Sequence, residues 1–329
     1  ATLGTSTLSM AGGTIQAGSG GVQTLQIDAG VTVQGFGAFN QSSTSTIVNA
    51  GTIVANTAAQ SFTINPGTFT NAITGTMSVS AGTLTISPTT FTNSGTLTIS
   101  GGTLTINATN WNNATGTLNI QAGTVNLGGL LPNLGIFNRT AGSIVNVTGT
   151  LNNTGNTLNI GDTGLFGPGG LNTLSGTIIG GTLVNTNASP TLTSASGTLD
   201  GVILGSNLNL TGTLFISNGL TLGNGFTFNI NNNTVAFHPA AGTQHIATLG
   251  TSTLSMAGGT IQAGNGGVQT LQIDTGVTVQ GFGAFNQSSL STIVNAGTIV
   301  ANTAAQSFTI SPGTFTNAIT GTMSVSAGT

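Results

Sequence analysis

The chain has 329 residues, and only 2% of them are charged, against roughly 25% in a typical globular protein. One Arg, no Lys and four Asp leave a net charge of −3, which excludes a basic surface for nucleic acid and a cationic stripe for anionic lipid. No apolar run approaches the roughly 18–20 residues of a membrane helix, and the absence of Cys removes disulfides and thiolate metal sites.

What remains is a β protein. The hydrophobic fraction is 37%, spread as Leu, Ile, Val and Phe at close intervals, so there is apolar surface enough to fold. The polar remainder is Thr, Ser, Asn and 53 Gly, with β-branched residues abundant and the helix formers Lys and Glu missing.

In chain order, the opening segment has strand starts at Gly13-Thr-Ile, Gly30-Val-Thr-Val and Gly51-Thr-Ile-Val. From Gly75 the pattern becomes regular. Paired runs begin at Gly75 and Gly82, at Gly95 and Gly102, and at Gly116 and Gly123, as in Gly95-Thr-Leu-Thr-Ile99. Each pair follows an aromatic and an Asn: Phe69 and Asn71, Phe91 and Asn93, Trp111 and Asn113. A fourth pair is read at Gly142 and Gly149 after Phe137, displaced by an insertion around 128–135. Less regular starts follow at Gly176, Gly181, Gly197, Gly212 and Gly219.

Within each run the apolar residues alternate, so one face turns inward and the Thr face outward. Leu84, Ile86, Leu97, Ile99, Leu104, Ile106, Leu118 and Ile120 are the expected core. One such coil cannot bury its apolar side, whereas stacked coils bury a continuous one. The expectation is an all-β, right-handed parallel β-solenoid with about 20 residues and three short strands per coil. At a ~4.8 Å rise, roughly twelve coils would give about 6 nm per 246 residues.

A longer repeat encloses this one. Residues 1–83 return at 247–329 with four differences: Ser19/Asn265, Ala29/Thr275, Thr44/Leu290 and Asn65/Ser311. No Pro, Gly cluster or charge run marks a linker between Gln244 and Leu249. The expectation is one continuous solenoid over 1–329, with 1–246 a full repeat and 247–329 the start of the next. It is read as a window on a longer tandem array, in which Leu-Thr-Ile-Ser-Pro would follow Thr329 as it follows Thr83. The four variable positions are expected on the surface or at corners.

Runs such as Ser196-Gly-Thr-Leu-Asp-Gly-Val-Ile-Leu-Gly-Ser-Asn-Leu-Asn-Leu210 resemble the giant Gly/Thr/Asn-rich surface proteins of bacteria, filamentous-haemagglutinin-like adhesins and autotransporter passengers among them. The resemblance implies an extracellular or cell-surface location and an adhesive or architectural role.

Chemistry has few candidates. Asp28, Asp162, Asp200, Asp274, Arg139, His238 and His245 are all the ionisable side chains. Asp162 and Asp200 sit about two coils apart with only Arg139 as a third partner, and Asp in Gly-rich corners commonly bonds its own backbone. His238 and His245 have no Cys or neighbouring carboxylate in sequence to complete a metal site. Trp111 takes the place of Phe69 and Phe91, which suits an internal aromatic stack. Asn71, Asn93, Asn113 and Asn153 are placed to form an amide ladder. Thr83/Thr85 with Thr103/Thr105, and Thr96/Thr98, resemble Thr-x-Thr ladders of ice-binding surfaces, but degrade to Thr117/Asn119 and Thr124/Asn126. Sequons such as Asn107-Ala-Thr and Asn146-Val-Thr are expected by chance in such a composition.

No catalytic, cofactor-binding or metal-binding residue is therefore expected, and no cofactor. The expected function is a structural subunit of an extracellular filament. The alternatives are an adhesin stalk, and an ice- or polysaccharide-binding surface along the Thr ladders. The expected partner is the chain itself, end to end or in lateral bundles, with a glycan or surface ligand as a further candidate.

Overall fold

The computed structural model describes residues 4–18, 21–40, 44–131, 134–238, 242–265, 267–286 and 290–329. All regular structure among them is strand, 34 in number, and every described pairing is parallel with coils about 22 residues apart. The fold is an all-β parallel solenoid. Its residues form two compact units, 1–152 with 165–172, and 153–164 with 173–329.

In the first unit the strands make three faces, as the periodicity predicts. One face stacks Thr46–Asn49, Thr68–Asn71, Thr90–Asn93 and Asn110–Asn112. The second stacks Thr52, Thr76, Thr96 and Thr117 as the first residues of successive runs. The third carries Thr83, Thr103 and Thr124 in line. Leu104 lies over Leu84 and Ile106 over Ile86, while Leu118 lies over Leu97 and Ile120 over Ile99. All eight expected core residues are buried. Burying a Leu or Ile is worth roughly 1.5–3 kcal/mol, so these columns are the main stabilising feature.

The corner between the second and third faces requires glycine. Gly82, Gly102 and Gly123 have φ of 68°, 62° and 79°, a region L side chains avoid. A Cβ on Gly102 would also stand 2.4 Å from the carbonyl oxygen of Gly82 in the coil beneath.

Coils lie about 22 residues apart, in keeping with the expected solenoid, and the spacing ranges from 17 (Asp200 to Ser217) to 27 (Thr243 to Thr270). Residues 75–131 are a tight stretch. One expectation is corrected: the fourth pair is misaligned by a third of a coil. Ile144, after Gly142, lies over Thr124 on the third face, and Thr150, after Gly149, lies over Leu130 on the first. The apparent insertion is itself structural: Leu130–Leu131 supplies the first-face strand and Ile136–Arg139 the second. Phe137 thus lies over Leu118, outside the aromatic column.

In both units some strands run on through a corner, as Thr52–Asn65 and Thr76–Ile86 do in the first. Thr191–Leu204 and Leu208–Leu222 run as single long strands through their corners, with register shifts at Ala195/Gly197 and Asp200/Val202. At the join between repeats, Thr227 pairs with Thr253, Thr234 with Thr260 and His245 with Gln272. Repeat meets repeat through a continuous ladder of strands.

The two copies reproduce one another. Ser6–Ala11 pairs with Val31–Phe36 as Ser252–Ala257 pairs with Val277–Phe282. Burial differs most where one copy lacks a stacked coil: Met77, covered by Leu97, is 1% exposed and its counterpart Met323 is 49% exposed. Ala29, Thr44, Asn65, Asn265, Thr275, Leu290 and Ser311 are all exposed, as expected of the variable positions. Ser19 lies outside the described residues, as does Pro239.

Candidate functional site

Asp28, Asp162 and Asp200 each have their own partner. Asp28 accepts from Nε2 of Gln26 at 2.8 Å. Asp162 accepts from Nδ2 of Asn187 at 3.1 Å, and its backbone N–H donates to that residue's Oδ1 at 2.9 Å. Asp200 accepts from Nδ2 of Asn218 at 2.6 Å. Each of these acids is thus engaged by a different amide, Asp162 by Asn187 and Asp200 by Asn218. His238 stacks on Phe215 with ring centroids 4.6 Å apart. Among the described residues no three of His, Cys, Asp and Glu form a cluster that could hold a metal.

Arg139 is buried and bound to backbone. Its Nε donates to Oγ of Ser143 at 3.0 Å, its Nη1 to the carbonyls of Phe166 (3.2 Å) and Gly170, and its Nη2 to the carbonyl of Ser143 and to Oδ1 of Asn172 (2.6 Å). The planar five-donor fork suits such a set of acceptors. Arg139 fastens the segment 165–172 to its own unit.

One polar cleft borders a hydrogen-bonded His–Asp pair. A cavity of about 270 Å³ is lined by Gly201, Asn218, Gly219, Thr243, Gln244 and His245, among others. Nδ1 of His245 donates to Oδ1 of Asp274 at 2.8 Å, and Nε2 of Gln272 donates to the same oxygen at 2.8 Å. The pair is separated by 29 residues, which is why sequence spacing did not reveal it. A His–Asp pair can orient a proton, but nucleophilic chemistry also needs a group held against the free ring nitrogen. The floor instead consists of groups already bonded to one another: the Gly219 N–H donates to Oε1 of Gln244 at 3.0 Å, and Gln244 donates to the His238 carbonyl. The arrangement shapes a corner at the join between repeats.

The interior polar groups form an amide ladder. Asn49 donates to Asn71 (2.8 Å), Asn71 to Asn93 (2.7 Å) and Asn93 to Asn113 (2.5 Å), all four side chains being buried. Asn295 donates to Asn317 at 2.7 Å in the second copy. Asn49 escaped the sequence reading because Ile47, not an aromatic, precedes it. Asn153 does not join the ladder and donates to the carbonyls of Asn156 and Thr182. The ladder ends at Asn113, which donates to the Leu134 carbonyl where the 128–135 segment enters. Beside it, Phe69 and Phe91 stack at 5.5 Å. Trp111 lies over Phe91, buried, with its Nε1 donating to the Gly128 carbonyl at 3.1 Å, an internal rung as expected.

The outward Thr columns align but bond internally. Thr52 and Thr76 hydroxyls are 2.9 Å apart, and Asn126 donates to Oγ1 of Thr105 at 3.3 Å. Further on the columns become amide ladders, Asn138 to Asn119 and Asn146 to Asn126, each 2.9 Å.

The fold and these ladders define the class as a tandem-repeat parallel β-solenoid. No protein family matches the chain, and no curated protein or solved structure is significantly similar to it.

Proposed function

We propose that the chain is the repeating body of an extracellular structural fibre, in which length and stiffness are the function and no catalysis occurs. The observation that carries this reading is the join: the second copy continues the first through paired strands, His245 over Gln272 and Thr234 over Thr260, and adopts the register of the first. A solenoid extended this way needs no interface beyond the one between its own coils. The resemblance to Gly/Thr/Asn-rich bacterial surface proteins supports the location, and the partner is the chain itself.

Electron microscopy of the native material tests it. Unbroken uniform fibres are expected, with an axial repeat of about 5 nm from some eleven coils at ~4.8 Å. Compact particles without axial repetition would overturn the reading, and rods that end in heads would favour an adhesin stalk.

A further inference from the structure

One coil of the first unit is unlike its neighbours on its outside. In the coils before it, the leading outward residue of each run is polar: Thr46, Thr68, Thr90 and Asn110 on the first face, Thr52, Thr76, Thr96 and Thr117 on the second, Ser61, Thr83, Thr103 and Thr124 on the third. In the coil spanning residues 130–147 all three are aliphatic at once. Leu130 lies over Asn110, Ile136 over Thr117 and Ile144 over Thr124, and they are 53%, 56% and 42% exposed. Leu165, also exposed, immediately precedes Phe166, whose ring stands edge-on to Phe137 at 6.5 Å.

Single exposed aliphatics are ordinary on protein surfaces. A simultaneous change on three faces of one coil is different, because none of these side chains is needed inside. Leu131 and Val145, their inward neighbours, already fill the core. A ligand bound on one side would need one face only. A ring suits a neighbour that can arrive from any side and carries the same ring at the same height, which is a second copy of this chain. Charge does not oppose the approach: the chain carries −3 over 329 residues, and Arg139, the only charge in the coil, is buried.

We propose that the coil of Leu130, Ile136 and Ile144 is a lateral docking belt through which copies of the chain associate side by side in axial register. This deepens the fibre reading and rests on it, since it names where neighbouring fibres meet. With one belt per 246 residues, the contact is weak in a single chain and accumulates along an array.

The absence of native Cys provides the test. Thr140→Cys places an exposed thiol on the belt coil, and its disulfide dimer is followed under mild oxidation in the 329-residue chain. The comparison is with the same reporter in a Leu130→Thr, Ile136→Thr, Ile144→Thr background, which restores the side chain usual in neighbouring coils and should keep the circular dichroism. Dimer formation at least tenfold faster with the native belt is expected. Equal rates, or no linking in either chain at millimolar concentration, would overturn the proposal. Should the triple variant misfold, Ile136→Thr alone serves, with a several-fold slowing expected and an unchanged rate counting against the belt. Microscopy separates the two readings: single unbundled fibres in the triple variant uphold both, bundles that persist in it refute the belt alone, and absence of fibres in the native material refutes the fibre reading.

Discussion

Asn71 donates through Nδ2 to Oδ1 of Asn93, 2.7 Å away, and both side chains are buried. This bond is one rung of a ladder in which Asn71, Asn93 and Asn113 each receive from the previous coil's amide and donate to the next coil. In a chain almost without charge, such a ladder satisfies buried polar groups and fixes which residue stacks on which. Asn93→Ala removes the acceptor of Asn71 and the donor to Asn113 together. A buried polar group left unpaired costs about 1–3 kcal/mol. Hydrogen exchange should therefore show protection falling in residues 68–113 and little change beyond 200. Unchanged protection in the stretch would mean that the rung contributes nothing net.

Asn93→Asp makes a sharper test of the same rung. An ionised carboxylate can still accept from Asn71, but it cannot donate to Oδ1 of Asn113 and faces that oxygen with like charge. Burial and that repulsion both raise the folded-state pKa of the new acid above its unfolded value of about 3.9. The folded state then binds more protons, so the variant is close to native in stability below pH 4 and loses stability as pH rises through the folded pKa. Denaturation midpoints at pH 3.5 and 7 read this directly. Equal midpoints at the two pH values would show that the side chain turns to solvent.

Leu104 lies between Leu84 and Val125 in consecutive coils and is fully buried. Leu104→Asp forfeits roughly 1.5–3 kcal/mol of apolar burial and adds the cost of a charge that no cation is near enough to offset. A loss of more than about 4 kcal/mol is expected from denaturant titration followed by circular dichroism. Thr103→Asp, on the outward side of the same strand, should cost far less. Similar losses for the two would contradict the inward–outward assignment.

The periodic part of this molecule was legible because alternation and Gly spacing are local. Leu84, Leu97 and Leu104 were assigned inward from a five-residue pattern, and their burial follows from the same pattern. The repeat at 246 was visible by identity alone. Features that depend on which coil lies beneath were not legible. The run after Gly142 looked like a second-face strand, yet Leu130–Leu131 and Ile136–Arg139 fill the two preceding faces and move it to the third. The left-handed turn at Gly129, φ 64°, starts that shift, and a Cβ there would overlap the Ala108 carbonyl. The His245–Asp274 pair likewise exists only because a 27-residue coil sets Gln272 over His245.

The native chain should be nearly indifferent to pH and salt. Stability responds to pH only through groups whose proton binding differs between folded and unfolded states, and four Asp, two His and one Arg are the only ionisable side chains in the sequence. Surface electrostatics are correspondingly sparse, so screening has little to act upon. The β circular dichroism is expected to persist from pH 3 to 9 and from low salt to 1 M. A cooperative acid transition between pH 5 and 3 would point to an Asp with a structural role larger than its hydrogen bonds imply.

Arg139 gives the most local prediction. Its guanidinium serves the carbonyls of Phe166, Gly170 and Ser143 and the side chains of Ser143 and Asn172 from one plane. Lysine presents three donors at a single point, and it cannot span acceptors on opposite sides of a fork. Arg139→Lys should leave at least two of these carbonyls without a donor, at about 1–3 kcal/mol each where water cannot replace it. Arg139→Met leaves all of them so, and the loss is larger still. Both losses should fall on the segment that the arginine fastens, because Phe166 and Gly170 belong to 165–172 while the Leu84 and Leu104 columns lie several coils away. Limited proteolysis should therefore cut between 161 and 172 in the variants and not in the native chain, with protection across Thr103–Ile106 unchanged. If Arg139→Lys leaves this segment as resistant as before, the guanidinium fork is not what holds it, and the edge-on contact of Phe137 with Phe166 becomes the remaining anchor.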